Sequence, residues 1–328
     1  MDAIGTVVGQ FTDLYEKQEY ATAYAYLTQA QPAHPLYRAA FLAWRAGMAA
    51  RSDQHNLALD LLEEAVQAGF WYHEDALTQD PDYASLQAEP RFQQMVSICA
   101  QRRAQAEAEV QPQRTLLEPQ GFAGPRPLLL ALHGNLGNKD LMAPYWQKAV
   151  ELGYRVAVLQ STQPMWLSGF YSWDDHEIGL GEVRDHYRQI CEQVEVDPAQ
   201  VFIAGFSSGG GLAAHAALAG IIPARGFIAL EYFSTAWDKP ETWESWFGDH
   251  PASLRAVLQL GIYSPEMLEG TRMFASQLDE HGIANRIFQT PNMAHAIPDH
   301  FDSLLAEILA YLQPGPLSHP GPPDGRIG

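Results

Sequence analysis

Basic residues are scarce in this sequence. Twenty Lys and Arg stand against 39 Asp and Glu, for a formal net charge of -19. A surface for nucleic acid or an anionic membrane needs clustered cations that this chain can scarcely assemble, so neither partner is expected. Cysteine is nearly absent as well. Cys99 and Cys191 are the whole supply, and both fall in helix-like text, which reads as two buried free thiols without a disulfide framework. No apolar run is long enough to span a bilayer. Met1-Asp2-Ala3-Ile4 has no basic region followed by an apolar core, so no signal peptide is read there and a cytoplasmic location is expected by default. The sequence also lacks metal-ligand spacings, a Walker-type phosphate loop and a dinucleotide fingerprint, so neither metal nor cofactor is expected.

Glycine is rare in the first hundred residues, which are rich in Ala, Leu, Gln and Tyr and show no alternating strand pattern. This text predicts helices, and it repeats itself. Ala23, Leu27 and Ala30 recur as Ala58, Leu62 and Ala65, each 35 residues on. A period near 34 suits two antiparallel helices with their turns, and alanines belong where helices approach closely. The pattern resembles the tetratricopeptide repeat, although the tryptophan and glycine usual in its first helix are out of register. The alternative is a pair of helical hairpins whose alanines happen to align. Phe70, Trp71 and Tyr72 either line a groove for a peptide or protein partner or pack between helices.

From Pro127 the text changes to short apolar runs alternating with helical patterns. Strands are predicted at Leu128–Leu132, Tyr154–Leu159, Val201–Ala204, Gly226–Leu230, Ala256–Leu260 and Asn285–Gln289, with a short one near Thr115–Glu118. Helices are expected over Met142–Leu152, Gly181–Val194, Gly210–Gly220, Gly270–His281 and Asp302–Leu312. Buried strands alternating with helices imply an α/β fold, a mainly parallel sheet with helices on both faces. The expected organisation is a helical domain over 1–110, an α/β domain over 111–312, and a Pro- and Gly-rich tail over 313–328 that reads as disordered.

The chemistry gathers at Gly205-Phe206-Ser207-Ser208-Gly209, between a strand and a helix rich in small residues. A turn that tight leaves little room for side chains and forces strained dihedrals on the serine at its apex. A serine hydroxyl attacks well only when a base takes its proton, and a neutral imidazole suits that task near pH 7. Of the twelve histidines, His295 lies just past the last predicted strand, at the edge where a parallel sheet assembles its sites.

Three motifs in order carry a resemblance: His133-Gly134-Asn135 after the first buried strand, the Ser207 turn, and Pro291-Asn292-Met293-Ala294-His295. Together they resemble the alpha/beta-hydrolase fold, and within it the small esterases of the phospholipase/carboxylesterase group, over roughly residues 115 to 312. The resemblance implies Ser207 as nucleophile, His295 as base, and the main-chain amides of Asn135 and Ser208 as the oxyanion hole. The sequence departs from the pattern at the third member. Where the family carries an aspartate, this chain has Ser264. Glu266 is the first candidate to replace it, followed by Glu231, straight after Leu230, and then Asp238. A serine cannot stabilise an imidazolium as a carboxylate does. Trp166, Trp173 and Trp237 lie in loops at the same sheet edge and are candidates for an apolar substrate wall. The expected function is hydrolysis of a small-molecule carboxylic ester or thioester through an acyl-serine. The rival is a weakened or inactive hydrolase fold that binds a partner through its helical domain.

Overall fold

The alanine-rich text folds as α1 (Ile4–Glu16), α2 (Tyr20–Ala30), α3 (Arg38–Arg51), α4 (His55–Gln67), α5 (Glu74–Thr78) and α6 (Pro90–Glu109). The computed structural model describes residues 4–120, 124–232, 243–262, 265–291, 293 and 295–313, and the side chains of 265–267 lie outside that set. Ala23 and Leu27 of α2 are fully buried, as are Ala58 and Leu62 of α4 at the equivalent spacing. Helix α3 runs through the middle of the group, and ten of its residues are buried. Pro90 occupies the first turn of α6, where a missing N–H costs nothing. Asp80 caps the 3-10 turn Pro81–Leu86 by accepting the Asp82 N–H at 2.9 Å.

The chain then builds a seven-stranded sheet from β1 (Gln113–Leu117), β2 (Arg126–Leu132), β3 (Arg155–Gln160), β6 (Val196–Phe206), β7 (Gly226–Leu230), β8 (Arg255–Ile262) and β9 (Ala284–Pro291). A separate small hairpin is formed by β4 (Gln163–Pro164) and β5 (Tyr171–Ser172). The order across the sheet is β1-β3-β2-β6-β7-β8-β9, antiparallel only between β1 and β3. Consecutive residues of β2 face opposite sides, and both sides are covered. Leu128, Leu130 and Leu132 pack with Ile203 and with helices α9 (His176–Gln193) and α10 (Ser208–Leu218). Leu129 and Ala131 pack on the other side with Trp146 and the C-terminal helix Phe301–Leu312. The result is a mostly parallel sheet flanked by helices and preceded by a helical region.

Several local expectations change on physical grounds. The helix expected over Met142–Leu152 is broken into α7 (Lys139–Met142), a 3-10 turn over Ala143–Trp146 and α8 (Gln147–Glu151), because Pro144, second in that turn, cannot continue an α-helix. Helix α9 starts earlier than expected, at His176, where the Asp175 side chain accepts the Ile178 N–H at 3.1 Å. Cys99 is buried as expected, but Cys191 is exposed on the outer face of α9.

The hairpin β4–β5 ties the helices to the sheet. Leu167 and Phe170 are buried in the same apolar cluster as Trp71, Tyr72 and Leu42. The backbone joins there too: His73 N–H donates to Trp166 O at 2.6 Å and Ser168 N–H to Trp71 O at 2.9 Å. At its other end the hairpin holds the turn after β2. Tyr171 N–H donates to Gly137 O at 3.0 Å, Asn138 Nδ2 to Gly169 O at 2.9 Å, and Leu136 N–H meets Met165 Sδ at 2.9 Å.

Candidate active site

The chain leaves β2 for one side of the sheet and returns to β6 on the other, so a crevice opens beyond the ends of these two strands. Leu132 of β2 pairs with Gly205 of β6, which brings the turns after both strands side by side. Only glycine fits where they meet. A Cβ on Gly205 would run into the Gly209 carbonyl, and one on Gly209 into the His133 carbonyl. Ser207 stands at the apex with φ +54° and ψ -123°, a conformation that costs a non-glycine residue on the order of 1–3 kcal/mol. The turn is held by Ser207 N–H donating to Leu230 O at 2.8 Å and by Ser207 O accepting from Gly210 N–H at 2.8 Å.

His295 Nε2 lies 2.9 Å from Ser207 Oγ. Its ring tilts over Phe206 at 4.9 Å and remains 39% exposed. Burial depresses its pKa below the usual histidine range, so the ring is neutral at neutral pH and can accept the hydroxyl proton. Behind the ring, Glu231 Oε2 is 4.0 Å from His295 Nδ1. Glu231 follows β7 directly, has φ +51°, and its side chain is fully buried. Its Oε1 accepts from Gly261 N–H and from Gln259 Nε2 at 3.1 Å. Oε2 has no hydrogen-bond partner among the described residues. Burial pushes the Glu231 carboxyl up to about 8, against the lowering effect of the two Oε1 bonds.

On the other flank, Asn135 Oδ1 accepts from Ser208 Oγ at 2.6 Å, and Asn135 Nδ2 donates to Asp174 Oδ1 at 3.2 Å. The Ser208 N–H opens the first turn of α10, where amides have no partner within the helix. His133 is fully buried and keeps this turn in place: its two ring nitrogens meet Gly134 O at 2.8 Å and the Ser161 N–H at 3.3 Å. These contacts fix one tautomer, Nδ1–H donating and Nε2 accepting. Desolvation lowers the His133 pKa to about 4, so the ring stays neutral.

Of the other residues singled out from the sequence, Trp173 is fully buried and packs on the His133 ring at 5.0 Å in the core of the sheet. Trp166 is half-buried on the hairpin and packs against the helical cluster. The side chain of Glu266, and Asp238, Trp237 and Ser264 entirely, lie outside the described residues. Gly261, which the sequence pattern does not single out, donates to Glu231 and packs under the Met293 carbonyl in the segment leading to His295. Its signal was faint: a glycine closing an apolar strand at the edge where sites form. Among the described residues, no group of three or more His, Cys, Asp or Glu could hold a metal ion, and no helix is long and apolar enough to cross a membrane.

Residues 5–107 match the family described as A/B hydrolase-like, N-terminal domain. Among solved structures, the chain is similar to an uncharacterized protein from Bacillus cereus ATCC 10987. The two are 24% identical with a TM-score of 0.51, over 94% of this chain and 98% of that one. It is also similar to esterase PE8, with 18% identity, a TM-score of 0.47, and 62% and 100% of the two chains covered. For a Bacillus cereus carboxylesterase the identity is 12% and the TM-score 0.48, over 64% of this chain and 99% of that one. No curated protein matches the chain. The likeness to the uncharacterized protein is one of fold: an alpha/beta-hydrolase-like sheet with a helical region before it.

Proposed function

We propose that this protein is a serine hydrolase that cleaves a carboxylic ester or thioester through an acyl-serine intermediate. The observation that carries the reading is the 2.9 Å contact between His295 Nε2 and Ser207 Oγ at a strained strand-to-helix turn. In the reaction, His295 takes the Ser207 proton as Oγ attacks the carbonyl carbon. The amides of Asn135 and Ser208 hold the oxyanion, the ester bond breaks, and His295 returns its proton to the leaving group. Water then attacks the acyl-serine by the same route.

Glu231 serves as the acid of the triad. Its free oxygen stands on the far side of the imidazole from Ser207, at 4.0 Å from Nδ1. Contacts of this kind are commonly long without substrate and shorten once charge develops on the ring. The helical region is repeat-like on this reading, since Ala23 and Leu27 share their burial with Ala58 and Leu62.

A fluorophosphonate probe on the full-length protein tests the proposal. It labels Ser207 in the wild type and does not label Ser207→Ala. Folded wild-type protein that stays unlabelled, and turns over none of a broad ester panel, overturns it.

A further inference from the structure

A cavity lies between the helical region and the hairpin, and Ser207 is not among its lining residues. It holds about 210 Å³, below the roughly 300 Å³ where sites for drug-sized ligands begin, so its occupant is small. Its walls include the rings of Phe11, Trp44, Tyr83 and Trp166, and Asp80 and Asp82 stand among them. Tyr72 adds a fifth ring. The phenol hydroxyls of Tyr72 and Tyr83 donate to Ala39 O and Ala43 O, both at 2.8 Å, so each tyrosine has its polar end engaged with backbone and offers ring carbon to the space. No Lys or Arg lines the cavity.

The two acids are only partly compensated. Asp80 Oδ1 accepts the Asp82 N–H at 2.9 Å. Asp82 Oδ1 accepts from Tyr15 Oη at 2.9 Å and lies 3.8 Å from Arg51 Nε. That arginine is drawn elsewhere: its guanidinium stacks over Tyr20 at 4.6 Å and donates to the Tyr20 hydroxyl. Asp82 lays its Oδ2 against Gly47 of α3. Its side chain is only 12% exposed, and burial raises the carboxyl's pKa, the mark of a negative charge short of solvation.

Ring faces are negative and attract cations, the more so when desolvated. A primary ammonium gives up three hydrogen bonds to water when it moves onto ring faces, and Asp82, engaged through Oδ1 by Tyr15 and packed through Oδ2 against Gly47, offers little to replace them. An alkylated one gives up few or none, and its methyl groups bury against the same rings. From the cavity, its rings and its partly compensated carboxylates, we propose that this pocket binds a small alkylated ammonium ion of choline-like size. Trp166 brings the ligand to the hairpin whose other end holds Leu136 and Gly137 beside the candidate active site. The site stands on its own residues, whatever Ser207 does.

Isothermal titration of the full-length protein tests this with three probes: choline, ethanolamine, and 3,3-dimethyl-1-butanol, the uncharged carbon isostere of choline. Choline binds saturably, and each of the other two binds at least about tenfold more weakly, a difference of about 1.4 kcal/mol. Asp82→Asn, which keeps shape and removes charge, and Trp44→Leu, which removes a ring, each weaken choline binding by a similar factor. Circular dichroism confirms that both variants are folded; if Trp44→Leu is not, Asp82→Asn and the probe series decide. Equal affinity for choline and its isostere reduces the pocket to an apolar cavity and overturns the proposal. So does the absence of saturable choline binding up to millimolar concentration, or unchanged binding in folded Asp82→Asn.

Discussion

Replacing Glu231 by glutamine separates a working acid from a merely structural one, because activity and stability move in opposite directions. In Glu231→Gln the new amide oxygen can still accept from Gly261 N–H and Gln259 Nε2, as Glu231 Oε1 does. Its NH₂ then faces His295 Nδ1 across the present 4.0 Å gap. Nδ1 becomes an acceptor, the ring proton moves to Nε2, and His295 can no longer take the Ser207 proton. In serine proteases such a tautomer error costs about 10⁴-fold in kcat, and a loss of that order is expected here. Stability goes the other way. The folded state holds the Glu231 proton up to about 8, whereas an unfolded glutamate releases it near 4.5. The residue's stabilising share is therefore complete below 4.5 and is lost as pH rises through about 8. A gap of roughly 3.5 units at about 1.4 kcal/mol each sets a ceiling of about 5 kcal/mol on that loss. About 4 kcal/mol of it falls between about pH 5 and pH 9. The variant lacks this titration, so urea unfolding at both pH values shows the wild type losing stability relative to it, by up to that amount. The kcat/KM profile changes in step. The wild type gains activity as the Glu231–His295 pair loses its proton towards about pH 8, and the variant keeps only a limb below the usual histidine range. Near-wild-type kcat in a folded variant, with no relative change in stability across the pH range, refutes the assignment of Glu231.

Gly261→Ala drives a methyl group into the Met293 carbonyl and shifts the segment carrying His295; kcat/KM falls at least about tenfold with far-UV circular dichroism unchanged, the scale expected when a reacting group moves by about 1 Å, and wild-type turnover counts against this route. Leu167→Ala empties a fully buried position shared by the hairpin and the helical region. It costs about 2–5 kcal/mol in urea unfolding, and a change below about 1 kcal/mol means that the hairpin is not a structural tie. A chain beginning at residue 111 exposes Leu167 and Phe170, so it binds a hydrophobic dye more strongly and melts lower than the full-length protein; equal melting and dye binding show that the helices are an independent module.

Much of the sheet was legible because its strands are buried on both faces and so read as continuous apolar runs. Gly226–Leu230 forms over the same five residues that the sequence indicates. Where element boundaries differ from those expected, local chemistry outweighs periodicity, as at Pro144, and at Asp175, whose capping role lengthens α9. The tight turn was legible too, since Gly205 and Gly209 admit no side chain and their spacing is written in the chain. The environment of Glu231, the acid proposed here, was not. Sequence order favoured Glu266 by its nearness to the position where a carboxylate is usual. What singles out Glu231 is the positive φ after β7, complete burial and a partner 64 residues away, none of which a linear pattern encodes.

The helical region bears on the site through one physical link. Hairpin β4–β5 is too short to be stable alone, since an isolated two-stranded hairpin is marginal in water. It is held instead by burying Leu167 and Phe170 among the helices and by backbone bonds to Trp71 and His73. The same hairpin bonds Leu136, Gly137 and Asn138, the residues that follow the Asn135 amide. Leu136 itself has φ +56°, a conformation that persists only where neighbouring contacts over-determine it. The helices thus supply the apolar burial that holds the hairpin, and the hairpin supplies the bonds that hold the strained turn. If an oxyanion forms at Asn135 and Ser208, its geometry depends on contacts that begin at Trp71. Loosening that end, as in Leu167→Ala, lowers kcat before it raises KM, because the loss falls on an interaction made in the transition state. A variant whose KM rises with kcat unchanged assigns the helices to substrate binding instead.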